Sequence, residues 1–167
     1  MNNNIIETER TYLRHLTADD ALNFYNLNTN TEVLKYTGDV PFENIDAARN
    51  FLKAYDQYQK YSVGRMAVIS KAEKEFIGWC GLKYSPELDE YDLGFRFFRK
   101  FWNMGYATET AKACIDFGFD KLKLNKIVGR AIKENVASIR VLEKIGMVYQ
   151  KELNLNGQIW VIYEISQ

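Results

Sequence analysis

Asp92-Leu-Gly-Phe-Arg-Phe-Phe-Arg-Lys-Phe-Trp-Asn-Met-Gly-Tyr-Ala-Thr-Glu109 is the stretch that decides the fold. Its first part alternates: Leu93, Phe95 and Phe97 fall on one side of an extended chain, and Gly94, Arg96 and Phe98 on the other. A basic connection with Arg99 and Lys100 follows, and then Gly105 opens a helical pattern. Ala107, Ala111, Cys114, Ile115, Gly118 and Leu122 lie along one stripe of that helix, over 105–122. A strand running through a glycine turn into a helix leaves backbone N–H groups free at the helix start, where the dipole favours negative charge. That geometry suits a pyrophosphate, and Gly105 and the small Ala107 allow close approach. A plain helix-start glycine fits the same residues.

Working toward the N-terminus, 91–98, 76–84 and 64–70 read as three consecutive antiparallel strands. Ahead of them, 10–16 reads as a first strand. Two helices follow it, one entered at Thr17 with Asp20 in capping-box position and one capped by Asn44 or Asp46. The residues from 28 to 43 read as an irregular loop. Toward the C-terminus come a strand over 126–133 and a helix over 136–145. Two last strands are joined through Asn156-Gly157, a strong hairpin signal. The order is β α α β β β α β α β β. It implies an α/β (α+β) fold, a mixed, mostly antiparallel twisted sheet of about six or seven strands with helices on both faces. No linker or repeat divides residues 1–167, so one domain is expected.

Composition narrows the function classes. Lys+Arg and Asp+Glu both number 22, so the chain lacks the basic excess of a nucleic-acid binder. The polar Met1-Asn2-Asn3-Asn4 start lacks a signal-peptide pattern and no apolar run is long enough for a membrane span, which predicts a cytoplasmic protein with no membrane partner. One histidine, His15, and two separated cysteines, Cys80 and Cys114, make no zinc set, so no metal is expected, and both thiols read as buried and free. No dinucleotide-binding or phosphate-loop glycine motif is present.

Trp102-Asn-Met-Gly-Tyr-Ala-Thr-Glu109 resembles the pyrophosphate loop of the GNAT superfamily of N-acetyltransferases, in particular its ribosomal-protein-alanine and polyamine branch. Asn135-Val-Ala-Ser-Ile-Arg-Val-Leu-Glu-Lys-Ile-Gly-Met147 resembles a second block of that branch. Ile77-Gly-Trp-Cys-Gly-Leu82 and Thr8-Glu-Arg-Thr-Tyr-Leu-Arg-His-Leu-Thr-Ala-Asp-Asp20 resemble two more. Trp102 and Asn103 depart from the superfamily's broader loop pattern. Leu142 stands where many members have a tyrosine acid, so that role is not carried over.

The resemblance implies the GNAT fold, acetyl-CoA as cosubstrate, and transfer of acetyl to a primary amine by direct attack in a ternary complex. The acceptor is a protein N-terminus, a polyamine or another small amine, and the protein a monomer or homodimer. A non-catalytic acyl-CoA-binding or regulatory module of the same fold is the alternative. Phe95, Arg96 and Phe97 would pair with the pantetheine arm. Trp102, Asn103, Met104, Gly105, Tyr106, Ala107 and Thr108 would form the pyrophosphate loop, and Asn135 and Ser138 would reach the cofactor, with a plain helix N-cap as the other reading of Asn135. Ser138 is the candidate acid for the thiolate, with packing against the cofactor as the other reading. Glu90 and Asp92 are candidate bases, each also readable as a surface carboxylate. Trp79, Tyr36 and Tyr84 are candidates to line the acceptor cleft, with core packing the favoured reading for Trp79. Glu109 reads as structural. The acidic run Glu87, Asp89, Glu90, Asp92 fits a solvated loop better than a polyamine groove.

Overall fold

The structure is a computed structural model that describes residues 4–167; the polar start at 1–3 lies outside the described residues. Its centre is one sheet of eight strands in the order β1-β2-β3-β4-β5-β6-β8-β7. The strands are β1 (Asn4–Glu7), β2 (Thr11–His15), β3 (Arg65–Ser70), β4 (Phe76–Ser85), β5 (Glu90–Phe97), β6 (Lys126–Ile132), β7 (Val148–Leu155) and β8 (Gln158–Ser166). The expected count of strands falls short by β1, a four-residue piece too short to show alternation. Every neighbouring pair is antiparallel except β5 and β6. The β7–β8 hairpin turns through Asn156 and Gly157, with φ of 53° and 82°. Those values match a turn that follows the sheet's twist.

The described residues also form six α-helices: α1 (Ala21–Leu27), α2 (Thr31–Leu34), α3 (Ile45–Ala54), α4 (Gln57–Tyr61), α5 (Tyr106–Asp120) and α6 (Val136–Lys144). Of these, α2 lies inside the stretch expected as loop, and α4 follows the second expected helix. Both are about one turn long, too short for a periodic signal. Asn44 caps α3, its Oδ1 accepting from Ala47 N–H at 2.8 Å. Alternation sorts the sheet into two faces. Leu13, Val68, Cys80, Leu82, Leu93 and Phe97 pack under α5 and α6 with Ala111, Cys114, Ile115 and Leu142. On the other face Ala67, Ile69 and Phe76 pack under α1 and α3 with Phe24, Leu27, Ala48 and Leu52. Helices on both faces were expected.

Among the described residues, no helix is long and apolar enough to cross a membrane, and no cluster of His, Cys, Asp or Glu could hold a metal ion. Cys80 and Cys114 are buried and free, their sulfurs 3.7 Å apart between β4 and α5.

The feature that positions the site is where β5 and β6 part. Their parallel pairing holds only at Asp92↔Val128 and Leu93↔Gly129. Past that point β5 stays with β4, out to Gly78↔Phe97, and β6 stays with β8, out to Ile132↔Trp160. The two halves of the sheet open as a fork.

Candidate active site

Backbone direction decides what the fork offers. Phe98 N–H donates to Ile77 O of β4 at 3.1 Å. Amide direction alternates along a strand, so Arg96 also turns its backbone to β4, opposite Trp79. Phe95 and Phe97 turn theirs the other way, into the gap. Phe97 O is already taken by the Trp102 indole N–H, at 2.8 Å. This leaves the N–H and C=O of Phe95 and the N–H of Phe97 as an unpaired strand edge facing the fork. Of the three residues expected to pair with a cofactor through their backbone, Arg96 is the one whose main chain is committed to the sheet.

At the far end of β5 a single turn, Arg99–Phe101, leads into the loop before α5. Asn103 has φ 59° and Gly105 φ 83°. The asparagine is tolerated there because its side chain suits the left-handed region. The first intrahelical bond of α5 runs from Glu109 N–H to Gly105 O, and Gly105 gives no side-chain cap. The N–H groups of Tyr106, Ala107 and Thr108 therefore have no protein acceptor among the described residues. They stand at the positive end of a fifteen-residue helix. The Tyr106 ring itself is core, edge-on to Phe101, while Trp102 and Met104 are exposed.

The loop is braced from the β1–β2 turn. Arg10 Nη1 donates to Met104 O at 2.8 Å, and Arg10 Nε to Glu109 Oε2 at 2.7 Å. Glu109 Oε1 accepts from Thr8 Oγ1 at 2.6 Å and from Arg10 N–H at 3.0 Å. Burial raises the Glu109 pKa, but these hydrogen bonds and the Arg10 charge outweigh it, and the net shift is downward. Glu109 is a structural carboxylate. Arg10 also brings a positive charge beside the loop; nothing in its local sequence marks this, because the contact spans 94 residues. Lys100, in the basic connection after β5, is paired with Glu75 at 2.8 Å.

A cleft of about 740 Å³ passes through the fork. On the α6 side it is lined by Asn135, Ser138 and Leu142, and on the α1–α3 side by Tyr36, Trp79 and Arg96. Asp92, Gly94 and Phe95 lie at the parting point between them. Asn135 is the N-cap of α6, its Oδ1 accepting from Ser138 N–H at 3.2 Å; its amide NH₂ remains free to donate. The Ser138 hydroxyl makes no hydrogen bond to protein among the described residues. Leu142 is buried, and a Cβ on Gly129 would lie 2.7 Å from it; it packs and has no proton to give. The loop from 102 to 108 does not line this cleft, nor does the buried Phe97.

The two candidate bases differ. Asp92 lines the cleft, and Arg65 Nη2 holds its Oδ2 at 2.6 Å while Oδ1 has no partner among the described residues. Glu90 does not line it; its Oε2 is bound by Arg130, which ties β5 to β6. Tyr36 lines the cleft, and so does Trp79, for which core packing was the favoured reading; Tyr84 does not. Its ring packs against Tyr61 and Tyr91 at 4.8 and 4.7 Å, and its hydroxyl donates to Asp89 Oδ1 at 2.6 Å. Residues the sequence did not suggest include Tyr55, whose hydroxyl oxygen accepts from Arg65 N–H at 2.8 Å, and Arg65, Lys83 and Arg130, all on the cleft wall.

Residues 10–148 match the acetyltransferase (GNAT) domain. The chain belongs to the GNAT acetyltransferase family. It is 31% identical over 147 residues to the uncharacterized N-acetyltransferase p20 of Bacillus licheniformis, covering 87% of this chain and 82% of that one. Among solved structures it resembles a GNAT-family acetyltransferase from Bacillus anthracis, at a TM-score of 0.82 and 28% identity, with 96% of this chain and 97% of that one covered. It shares its fold with the spermidine N-acetyltransferase of Vibrio cholerae, solved in complex with CoA and spermine. There the TM-score is 0.81 at 23% identity, over 95% of this chain and 96% of that one. This GNAT chain is thus an acetyltransferase by family, with the mixed sheet and the order of central elements that its sequence implied.

Proposed function

We propose that this GNAT chain moves the acetyl group of acetyl-CoA onto a primary amine by direct attack, with both substrates held in the one cleft. The observation that carries the reading is that the cleft passes through the β5–β6 fork. It joins an unpaired strand edge and the start of α6 on one side to a separate chamber under α1 and α3 on the other. Two substrates can thus meet at Asp92–Phe95 from opposite faces, which supplies the orientation that such a transfer needs.

The residues fit acetyl-CoA. Phe95 N–H and C=O and Phe97 N–H would pair with the pantetheine amides as an added strand, and Asn135 Nδ2 could donate to the same arm. The free amides of Tyr106, Ala107 and Thr108, with Asn103, Met104 and Gly105 shaping the approach and Trp102 tying the loop to β5, would hold the pyrophosphate. When bound, acetyl-CoA supplies an activated acetyl group on sulfur. The protein's own part is to move protons. The acceptor must reach the fork as a neutral amine, and Asp92 would take its proton; its position on the cleft wall, with Oδ1 unpaired among the described residues, supports that role. Glu90, outside the cleft and tied to Arg130, is the weaker choice. Ser138 would protonate the departing thiolate; a cleft-lining hydroxyl uncommitted to protein among the described residues supports that role.

The test is a screen of primary amines with acetyl-CoA, read by release of free thiol. Amine-dependent release is expected. Binding of acetyl-CoA with no release on any amine would instead assign the chain as a non-catalytic acyl-CoA-binding module.

A further inference from the structure

The charge pattern of the acceptor chamber deepens the reading above and rests on it. The chamber wall carries two carboxylates, Asp39 and Asp92, and four cationic side chains, Arg65, Lys83, Arg96 and Arg130. Each carboxylate is already engaged: Asp39 by Arg96 at 2.6 Å and Asp92 by Arg65 at 2.6 Å. The third guanidinium, Arg130, is bound by Glu90 just outside the wall. Lys83 is left. It stands directly across from Asp92 in the β4–β5 ladder, yet forms no ion pair among the described residues; Asp92 is paired with Arg65 of β3 through Oδ2. The Trp79 ring centroid lies 5.5 and 5.2 Å from the Arg65 and Arg96 guanidinium carbons, and its buried indole N–H has no acceptor among the described residues. Among the described residues Lys83 is thus the one cation of the wall without an ion-pair partner, and the Trp79 N–H is a donor without an acceptor.

Such a wall is a poor host for a polycation, which needs carboxylates not already neutralised, and it repels one through Lys83. Nor is Lys83 placed for the cofactor phosphates. Asp92, its cross-strand partner, lies six residues before Phe98, about 20 Å of extended chain from the loop that leads to α5. We propose that the acceptor is a small primary amine carrying an anionic group, a carboxylate or a phosphate, which Lys83 binds at the fork while the amine faces Asp92.

The experiment compares matched acceptors with the full chain and acetyl-CoA. β-Alanine is set against its carboxamide, O-phosphoethanolamine against ethanolamine, and spermidine against all four; Lys83→Glu and Lys83→Gln are run in parallel. A preference in kcat/KM for the anionic member of at least one pair, by about tenfold or more, is expected. The pair that shows it identifies carboxylate or phosphate. Lys83→Glu should abolish that preference or reverse it toward spermidine, mainly through the acceptor KM, with Lys83→Gln intermediate. Because each ratio is internal to one variant, a loss of folded protein cannot imitate the switch. Spermidine as the best wild-type acceptor, or an anion preference that survives Lys83→Glu, would overturn the inference and leave the transferase reading standing. Thiol release with none of the five amines overturns the acceptor class, and the wider amine screen then decides the transferase reading separately.

Discussion

Arg65 Nη2 sits 2.6 Å from Asp92 Oδ2, and the guanidinium reaches it across Gly94, where a Cβ would lie 2.6 Å from Arg65 Cζ. Arg65 Nη1 also donates to Gly81 O at 2.6 Å and Asp92 O at 2.8 Å. Three strands, β3, β4 and β5, are thus stitched at the place where β5 leaves β6. Both side chains are largely buried, each 17% exposed, so removing one partner leaves an uncompensated charge in the chamber. Arg65→Met should lower stability by about 3 kcal/mol, measured by urea denaturation. Gly94→Ala, which displaces the guanidinium without removing it, should cost less stability but also lower amine turnover, because Asp92 loses its fixed orientation. Equal turnover in Gly94→Ala and wild type would detach Arg65 from the chemistry.

Glu109 offers a pH test. Its pKa in the folded protein lies below the ordinary 4.5. The stability it contributes is therefore complete above about pH 4.5 and is lost as pH falls through the lowered folded value. Glu109→Gln should cost about 2 kcal/mol near neutrality, the range of lost charged hydrogen bonds. The gap to wild type should narrow as pH drops below 4.5. Thermal unfolding across that range checks this; a gap that stays constant with pH would mean that the carboxylate's charge is irrelevant.

The cysteine pair bears on how the enzyme is assayed. Cys114 is hydrogen-bonded to Cys80 and buried with it, and both effects push its thiol pKa well up. A thiol that is neither accessible nor ionised does not react with disulfide reagents. Native protein should give almost no colour with such a reagent, and unfolding should release both thiols, so the assay for CoA thiol starts from a low background. Rapid labelling of the native chain would place one cysteine outside the core.

At the loop, Gly105 has φ 83° and its missing Cβ would lie 3.2 Å from Arg10 Nη2. Gly105→Glu adds backbone strain, bulk and a like charge beside the free amides of α5. Acetyl-CoA affinity should fall by about tenfold or more, by calorimetry. Gly105→Ala should fall less, since it brings the strain without the charge. Unchanged affinity in the glutamate variant would remove the loop from the cofactor site.

The strand–loop–helix was legible because everything it needs is local. Alternation gives the faces of β5, and the glycine marks where free amides stand. The Asn156-Gly157 turn and the stripe of α5 were legible for the same reason. The chamber was not. Arg65 and Asp92 are 27 residues apart and meet only through two strand pairings, whose registers no local pattern sets. Asp92 and Glu90 looked alike in sequence; only register puts one in the cleft and the other against Arg130. Tyr84 looked like a cleft residue until its position in β4 turned it to the opposite face from Trp79. The short β1, α2 and α4 escaped because four or five residues cannot establish a period.

Ser138 separates the two halves of the proposed chemistry. Its N–H is committed to the Asn135 cap at 3.2 Å, but its hydroxyl is uncommitted and lines the cleft. Leu142, one turn on, is buried and cannot serve as an acid. If the hydroxyl protonates the thiolate, Ser138→Ala lowers kcat by about 10² or more and leaves acetyl-CoA affinity within a few-fold. If it only packs against the cofactor, affinity falls and kcat does not. Single-turnover rates alongside equilibrium binding distinguish the two. Asn135→Ala is the control: losing the α6 cap should cost about 1 kcal/mol of stability, so any fall in kcat from a loosened helix alone appears in that variant as well.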